Sequence, residues 1–189
     1  MRKDPREGQW SDESEIVERA KAGDMDAYGE LVTRYQAIAQ RTAYVITRDA
    51  GIAEDAAQEG FVKAYQAIGR FRSGAPFRPW LLRIVANEAL NRRKAAGRRP
   101  TVDLAIVEGR AASDPSSSPE EHAVAMERRT LLLRAMDGLR EDDRLVIAYR
   151  YFFDLSEAEM AEALDCPRGT VKSRLARALG RLREHLDVE

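Results

Sequence analysis

The stretch LSEAEMAEALDCPRGTVKSRLARALGRLREHL, Leu155 to Leu186, reads as helix, tight turn, helix. Ser156 and Glu159 have the spacing of a capping box, in which two side chains satisfy backbone donors at a helix start. Met160, Ala161 and Leu164 recur at helical steps and face inward, and the small Ala161 lets a second helix cross closely. Asp165 stands where a helix end calls for a left-handed residue, which Asp tolerates better than most. Pro167 suits the first turn of the next helix, because its missing N–H has no helical partner there. Val171 and Leu175 then pin that helix to the first. Arg168, Thr170, Lys172, Ser173, Arg174 and Arg177 are left near its exposed start. In helix-turn-helix proteins this end of the second helix enters the major groove. Arg and Lys donate to guanine O6 and N7 or to phosphates, and Ser and Thr bond either. The helix N-terminus adds its own attraction for phosphate. Which side chains read bases and which hold the backbone stays open. The competing reading is a helical hairpin with a basic, solvated face. DNA binding is favoured because capping, turn and charge agree.

The distribution of charge supports this. The net charge of the 189-residue chain is −1, yet residues 166–183 hold six Arg/Lys and no acid. Residues 83–99 hold Arg83, Arg92, Arg93, Lys94, Arg98 and Arg99 against Glu88, whereas residues 1–61 carry thirteen Asp/Glu against eight Lys/Arg. Two basic segments in a near-neutral chain imply two anion-binding surfaces. Ordinary helix surfaces intersperse both signs, so the absence of acids from the second segment counts against a merely solvated face.

Upstream, helical periodicity continues. Residues 14–23 form a short helix candidate ending near Gly23, and Asp24 caps the next, where Tyr28, Leu31, Val32, Tyr35, Ile38 and Ala39 make one apolar stripe. A third helix is expected from about Ile52 to Ile68. The loop-like GRFRSGAPFRP (Gly69 to Pro79) follows, and then a fourth helix from Trp80 to about Ala96. Trp80 begins an apolar stripe and is read as core rather than as a base-stacking ring. Gly60 sits mid-helix, where it costs about 1 kcal/mol relative to Ala. Residues 97–120, with Pro100, Pro115, Pro119 and Ser116–Ser118, bury little apolar surface and read as a flexible linker. Beyond it, Leu132, Met136 and Leu139 form one stripe and Leu145, Ala148, Tyr149 and Phe152 the next. The expected fold is all-α: two small helical domains, residues 14–97 and 123–186, joined by a flexible linker at 98–122, the second domain a helix-turn-helix.

With those segments in view, the chain resembles the extracytoplasmic-function (ECF) group of bacterial sigma factors in the sigma-70 family. Residues 155–182, centred on DCPRGTVKSRLARAL, are similar to region 4.2, and LREDDRLVIAYRYFFD (Leu139 to Asp154) to region 4.1. YGELVTRYQ (Tyr28 to Gln36) resembles region 2.1 and AEDAAQEGFVKAYQAIGRF (Ala53 to Phe71) region 2.2. FRPWLLRIVANEALNRRK (Phe77 to Lys94) resembles regions 2.3 and 2.4. The order matches the family's, and the pairing of two such domains is far more specific than a helix-turn-helix alone. The resemblance implies that the second domain reads the −35 promoter element and that Asp55, Gln58 and Glu59 face the clamp helices of the polymerase β′ subunit. It implies that the loop Phe71–Arg78 and the start of the next helix handle the −10 element. There Asn87 stands at a pocket for a flipped base, and Arg72, Phe77, Arg78, Arg83 and Lys94 lie along the displaced strand. An amide suits the pairing edge of a flipped base, and cations suit the strand's phosphates. The implied partners are core RNA polymerase, through the β′ clamp helices and β flap, promoter DNA, and an anti-sigma factor. Ala158, Leu179 and Arg140 depart from the family's usual pattern without touching a residue assigned to base reading.

Other function classes fit less well. With only His122 and His185, no phosphate-binding glycine loop and no paired Cys/His spacing, the chain offers no assembled catalytic centre, and neither metal nor cofactor is expected. No apolar run approaches the roughly 20 residues of a membrane span. The N-terminus MRKDPREGQWSDESE has no apolar signal core, so a cytoplasmic protein without membrane insertion is expected. The single Cys166 agrees with a reducing compartment and reads as a small buried hydrophobe. A stand-alone helix-turn-helix regulator acting without polymerase is the alternative. It would share residues 155–186 but has no reason to carry Ala53–Phe71 and Phe77–Lys94.

Overall fold

The computed structural model describes residues 5–96, 131, 132 and 134–186. Its regular elements are all helical, with no strand among the described residues. The first domain contains α1 (Pro5–Lys21), α2 (Met25–Thr47), α3 (Ala50–Ala67), a 3-10 turn at Ile68–Arg70, and α4 (Phe77–Ala96). The second contains helical residues 134–137, α5 (Glu141–Ile147) continued by a π-helical turn at Ala148–Phe152, α6 (Glu157–Ala163) and α7 (Arg168–Leu186). The expected flexible linker, 98–122, lies outside the described residues.

Local chemistry explains the helix ends. α1 starts at Pro5, well before the expected Ser14, because a proline opening a helix loses no hydrogen bond. It closes on Gly23, at φ 94°, with Gly23 N–H donating to Ala20 O and Asp24 N–H to Arg19 O. This is the double bond of a Schellman motif. Asp24 then caps α2, its carboxylate accepting from Ala27 N at 3.0 Å. α4 begins at Phe77, three residues before the expected Trp80. Pro79 falls inside its first turn, where the amide position is unpaired in any helix, so the proline that read as loop is compatible with the start of a helix.

In the first domain α2, α3 and α4 pack on one another and α1 lies against α2. Tyr28 OH donates to Phe61 O at 2.6 Å, joining α2 to α3. Glu13 accepts from Tyr35 OH and from the Phe77 amide, so one carboxylate joins α1 to α2 and α4. Phe77 is fully buried, with Phe71 and Trp80 rings 5.7 and 5.4 Å from its own. Trp80 is half-buried on this cluster, as its place on the apolar stripe predicts. Gly60 has its reason in the α3–α4 crossing: a Cβ there would stand 2.7 Å from Val85 Cγ2 and 3.3 Å from Val85 Cα.

The helix-turn-helix forms as its residues require. Ser156 and Glu159 make both halves of the capping box. Asp165 adopts φ 48°, while Asp165 N–H donates to Glu162 O and Cys166 N–H to Ala161 O, a Schellman closure built on Asp instead of Gly. Pro167 sits one position before α7 as its cap, its carbonyl accepting from Thr170 and Val171. Met160 and Val171 are buried between α6 and α7, and Cys166 is half-buried against the same core.

The two domains are packed together. α2 contacts α5, and α4 contacts α6. Two runs of consecutive burial mark the seam: Thr42 to Thr47 at the end of α2, and Asp143 to Tyr149 across α5 and the π turn. A helix packed on one side only buries about half its circumference, so each run is covered from two directions. Arg48, in the left-handed conformation at φ 57°, pairs with Asp137. Arg93 pairs with Glu141 at 3.0 Å and also donates to Ile46 O. Arg144 donates across the seam to Val45 O at 3.1 Å. Arg78 donates to Phe153 O, and Arg83 pairs with Asp165 at 3.1 Å.

Candidate nucleic-acid and polymerase interfaces

The first surface is the start of α7. Arg168, Lys172, Ser173, Arg174 and Arg177 are exposed, and Thr170 is half-buried. Val171, one residue on, is 1% exposed, so the apolar flank anchors the helix while its neighbours point outward. Arg168 and Arg174 make no ion pair among the described residues. Lys172 reaches Glu157 at 3.5 Å, a pair open to solvent that exchanges readily for phosphate. Ser173 Oγ donates to Thr170 O, and Arg177 Nε to Ser173 O, both at 3.1 Å. The six residues span the first half of α7, with Arg168 and Thr170 in its first turn and Arg177 midway along it. Arg181 belongs to the same basic segment but is tied back to Asp143 at 2.6 Å, so it holds α7 on α5.

The second surface runs from the loop before α4 along that helix. Arg72, Asn87 and Lys94 are exposed and accessible. Three other residues expected here are placed differently. The Phe77 side chain is fully buried in the aromatic cluster, so it supports the loop from within and is not available to touch a strand. Arg78 and Arg83 are half-buried and both are engaged by the second domain. Arg92 is also occupied, at 2.9 Å from Glu88 and 3.5 Å from Asp55. The positive segment counted in the sequence is thus partly neutralised within the fold.

The third surface is on α3. Asp55 and Gln58 are exposed and Glu59 is half-buried, sharing one helix face by their spacing. Asp55 carries the long pair to Arg92, and Gln58 donates to Glu54 at 3.4 Å. Behind this face Glu88, 7% exposed, accepts from Lys63 and Arg92. The Lys63 ammonium, and then Arg92, hold its carboxyl below the ordinary range against the opposing effect of burial.

Sequence reasoning missed Arg48, Arg93 and Arg144 as seam residues. Arg144 is 4% exposed, and burial, reinforced by Arg48 and Arg93, pushes its guanidinium down to about 10. The available signal was continuous apolarity: AYVI (Ala43–Ile46) and LVIAY (Leu145–Tyr149) are too apolar for helices with one wet side.

Comparison with known proteins gives a consistent result. The model described as Sigma-70 region 2 matches residues 31–99, and that described as Sigma-70, region 4 matches residues 129–182. The chain is 38% identical over 171 residues to the ECF RNA polymerase sigma-E factor of Escherichia coli K12, covering 86% of this chain and 88% of that one. It is 37% identical over 172 residues to the RNA polymerase sigma-H factor of Pseudomonas aeruginosa, covering 88% and 89%. Among solved structures it is similar to CnrH in complex with the cytosolic domain of CnrY, with a TM-score of 0.68 at 23% identity over 94% of this chain and 98% of that one. It is also similar to the sigma factor RpoE in complex with the anti-sigma factor NepR from Bartonella quintana, with a TM-score of 0.64 at 22% identity over 86% and 98%. These two structures share the fold.

Proposed function

This chain belongs to the ECF group of the sigma-70 family, and from that membership we propose how its residues divide the work of promoter-specific initiation. It is a sigma factor: it binds core RNA polymerase and directs transcription to promoters. The observation that carries this is a single alignment at 38% identity running through both domains, which a lone helix-turn-helix regulator would not produce.

The division of labour follows the three surfaces. A first domain of residues 14–97 engages polymerase through Asp55, Gln58 and Glu59, carboxylates and an amide suited to a basic coiled coil on the β′ subunit. The second domain, residues 123–186, places Arg168, Thr170, Lys172, Ser173, Arg174 and Arg177 in the major groove of the −35 element and meets the β flap. Arg72, Arg78, Arg83 and Lys94 hold the non-template strand at the −10 element, and Asn87 reads a base turned out of the stack. The buried Phe77 shapes that loop. The polymerase supplies the chemistry, and the chain works in the cytoplasm, where transcription takes place. An anti-sigma factor is its natural restraint, a reading supported by the related fold solved with one.

Run-off transcription with purified core polymerase on a promoter library tests the proposal. Addition of this chain redirects start sites to a defined promoter class. Unchanged start sites, or no association with core polymerase, would refute it.

A further inference from the structure

We propose that α1 is a splint for the loop Phe71–Arg78, and that Glu13 and Lys21 are positioning residues for promoter opening because they tie that loop in place. The inference rests on the assignment of this loop to the −10 element. The start of α4 lacks a cap of its own. The first amides of a helix have no partner within it, and a side-chain oxygen one position ahead usually takes one of them. Pro76 stands at that position and has no such oxygen. Glu13, on another helix, takes the part: its carboxylate accepts from the Phe77 amide at 2.9 Å. The helix dipole favours a negative charge at this end. The second tie is at the loop's tip. Lys21 Nζ donates to Ser73 Oγ at 2.7 Å and is steadied by Glu18 at 3.1 Å.

The loop is therefore held from α1 at two points, by residues 64 and 52 positions away in the chain. Between them the backbone turns on itself, with Ala75 N–H donating to Arg72 O at 3.1 Å and Gly74 at φ 76°. A four-residue turn with a positive φ at its third position suits glycine there. Arg72 is left exposed beside the tethered Ser73. The splint is itself anchored. Ile16, Val17 and Ala20 are buried, and Asp12 pairs with Arg34 of α2 at 2.8 Å. Tyr35 OH donates to the same Glu13 carboxylate and fixes it in place. The match to Sigma-70 region 2 covers residues 31–99, so both tying residues lie outside it. A loop shaped before the strand arrives does not have to be ordered on binding, and a larger fraction of molecules is competent.

The test follows the full chain by amide hydrogen exchange, and then with core polymerase by permanganate reactivity at a promoter. Glu13→Ala speeds exchange at the Phe77 amide about fivefold, the ordinary effect of losing a cap. Promoter opening falls by a similar factor, while affinity for core polymerase stays at wild type. Glu13→Gln keeps an oxygen for the Phe77 amide and restores both readouts. Lys21→Met spares the α4 cap and serves if Glu13→Ala does not fold; it speeds exchange at the Ala75 amide and lowers opening. Ile16→Val thins the packing of α1 without touching either tie. It lowers the urea midpoint and leaves loop exchange and opening near wild type. Unchanged exchange in Glu13→Ala and Lys21→Met overturns the splint, as does faster exchange with no loss of opening. So does failure of Glu13→Gln to rescue, or an Ile16→Val chain that opens promoters as poorly as Glu13→Ala, since plain packing would then explain both. A wild-type chain that does not redirect start sites would refute the sigma-factor reading without altering the exchange measurement.

Discussion

Arg174 and Asn87 are exposed side chains on different domains, so their substitutions separate two steps. Arg174→Ala weakens −35 recognition by about 1–3 kcal/mol if it reads a base, or lowers the salt slope by about one if it holds a phosphate. Association with core polymerase, measured by fluorescence anisotropy, stays near wild type. Asn87→Ala impairs promoter opening, followed by permanganate reactivity, more than it impairs initial binding. Gly60 makes the contrary point about reading residues singly. Helix propensity says Ala is better there by about 1 kcal/mol. The Val85 side chain and Cα stand where a Cβ must go, at 2.7 and 3.3 Å. Gly60→Ala therefore destabilises by about 1–3 kcal/mol in chemical denaturation, the ordinary range for forcing atoms into a packed crossing.

The helices are joined by a few polar ties as well as by apolar faces, and Glu88 is the tie between α3 and α4. Its carboxylate accepts from Lys63 on α3 and from Arg92 on its own helix. Because Lys63 and Arg92 hold its proton affinity below the ordinary value of 4.5, the contribution is present above that pH and is lost as the pH falls through the lowered value. Stability of the chain drops on acidification below about pH 4.5, and Glu88→Gln flattens this part of the profile. Urea midpoints measured across that range check it, and an unchanged slope in the variant would remove Glu88 from the account. The capping box at Ser156 and the Schellman closure at Asp165 play the corresponding part in the second domain, orienting α7 relative to α6.

Across the whole molecule the basic surfaces are small and separate, and one of them is partly covered. The free chain consequently binds promoter duplex weakly, and core polymerase increases specific affinity by fixing the two domains at the spacing of the promoter elements. Once one element is engaged, the second contact becomes intramolecular at high effective concentration. A gel shift with the isolated chain shows little specific complex, while the same DNA with core polymerase shows a stable one. Tight specific binding by the chain alone would contradict this.

The helices, their caps and the helix-turn-helix were legible in the sequence because each depends on neighbours three or four residues away. Ser156 with Glu159, Gly23 before Asp24 and Asp165 before Pro167 carry their structural meaning wherever the chain goes. The basic start of α7 was open to the same local reading, whereas the α3 and −10 surfaces came only from the resemblance to the family. Only the tertiary structure decided that Gly60 serves a helix crossing, that Phe77 is buried, and that Arg78, Arg83, Arg93 and Arg144 meet the opposite domain. Each of those depends on a partner at least 25 positions away, and local pattern holds no information about which distant group will satisfy a given charge.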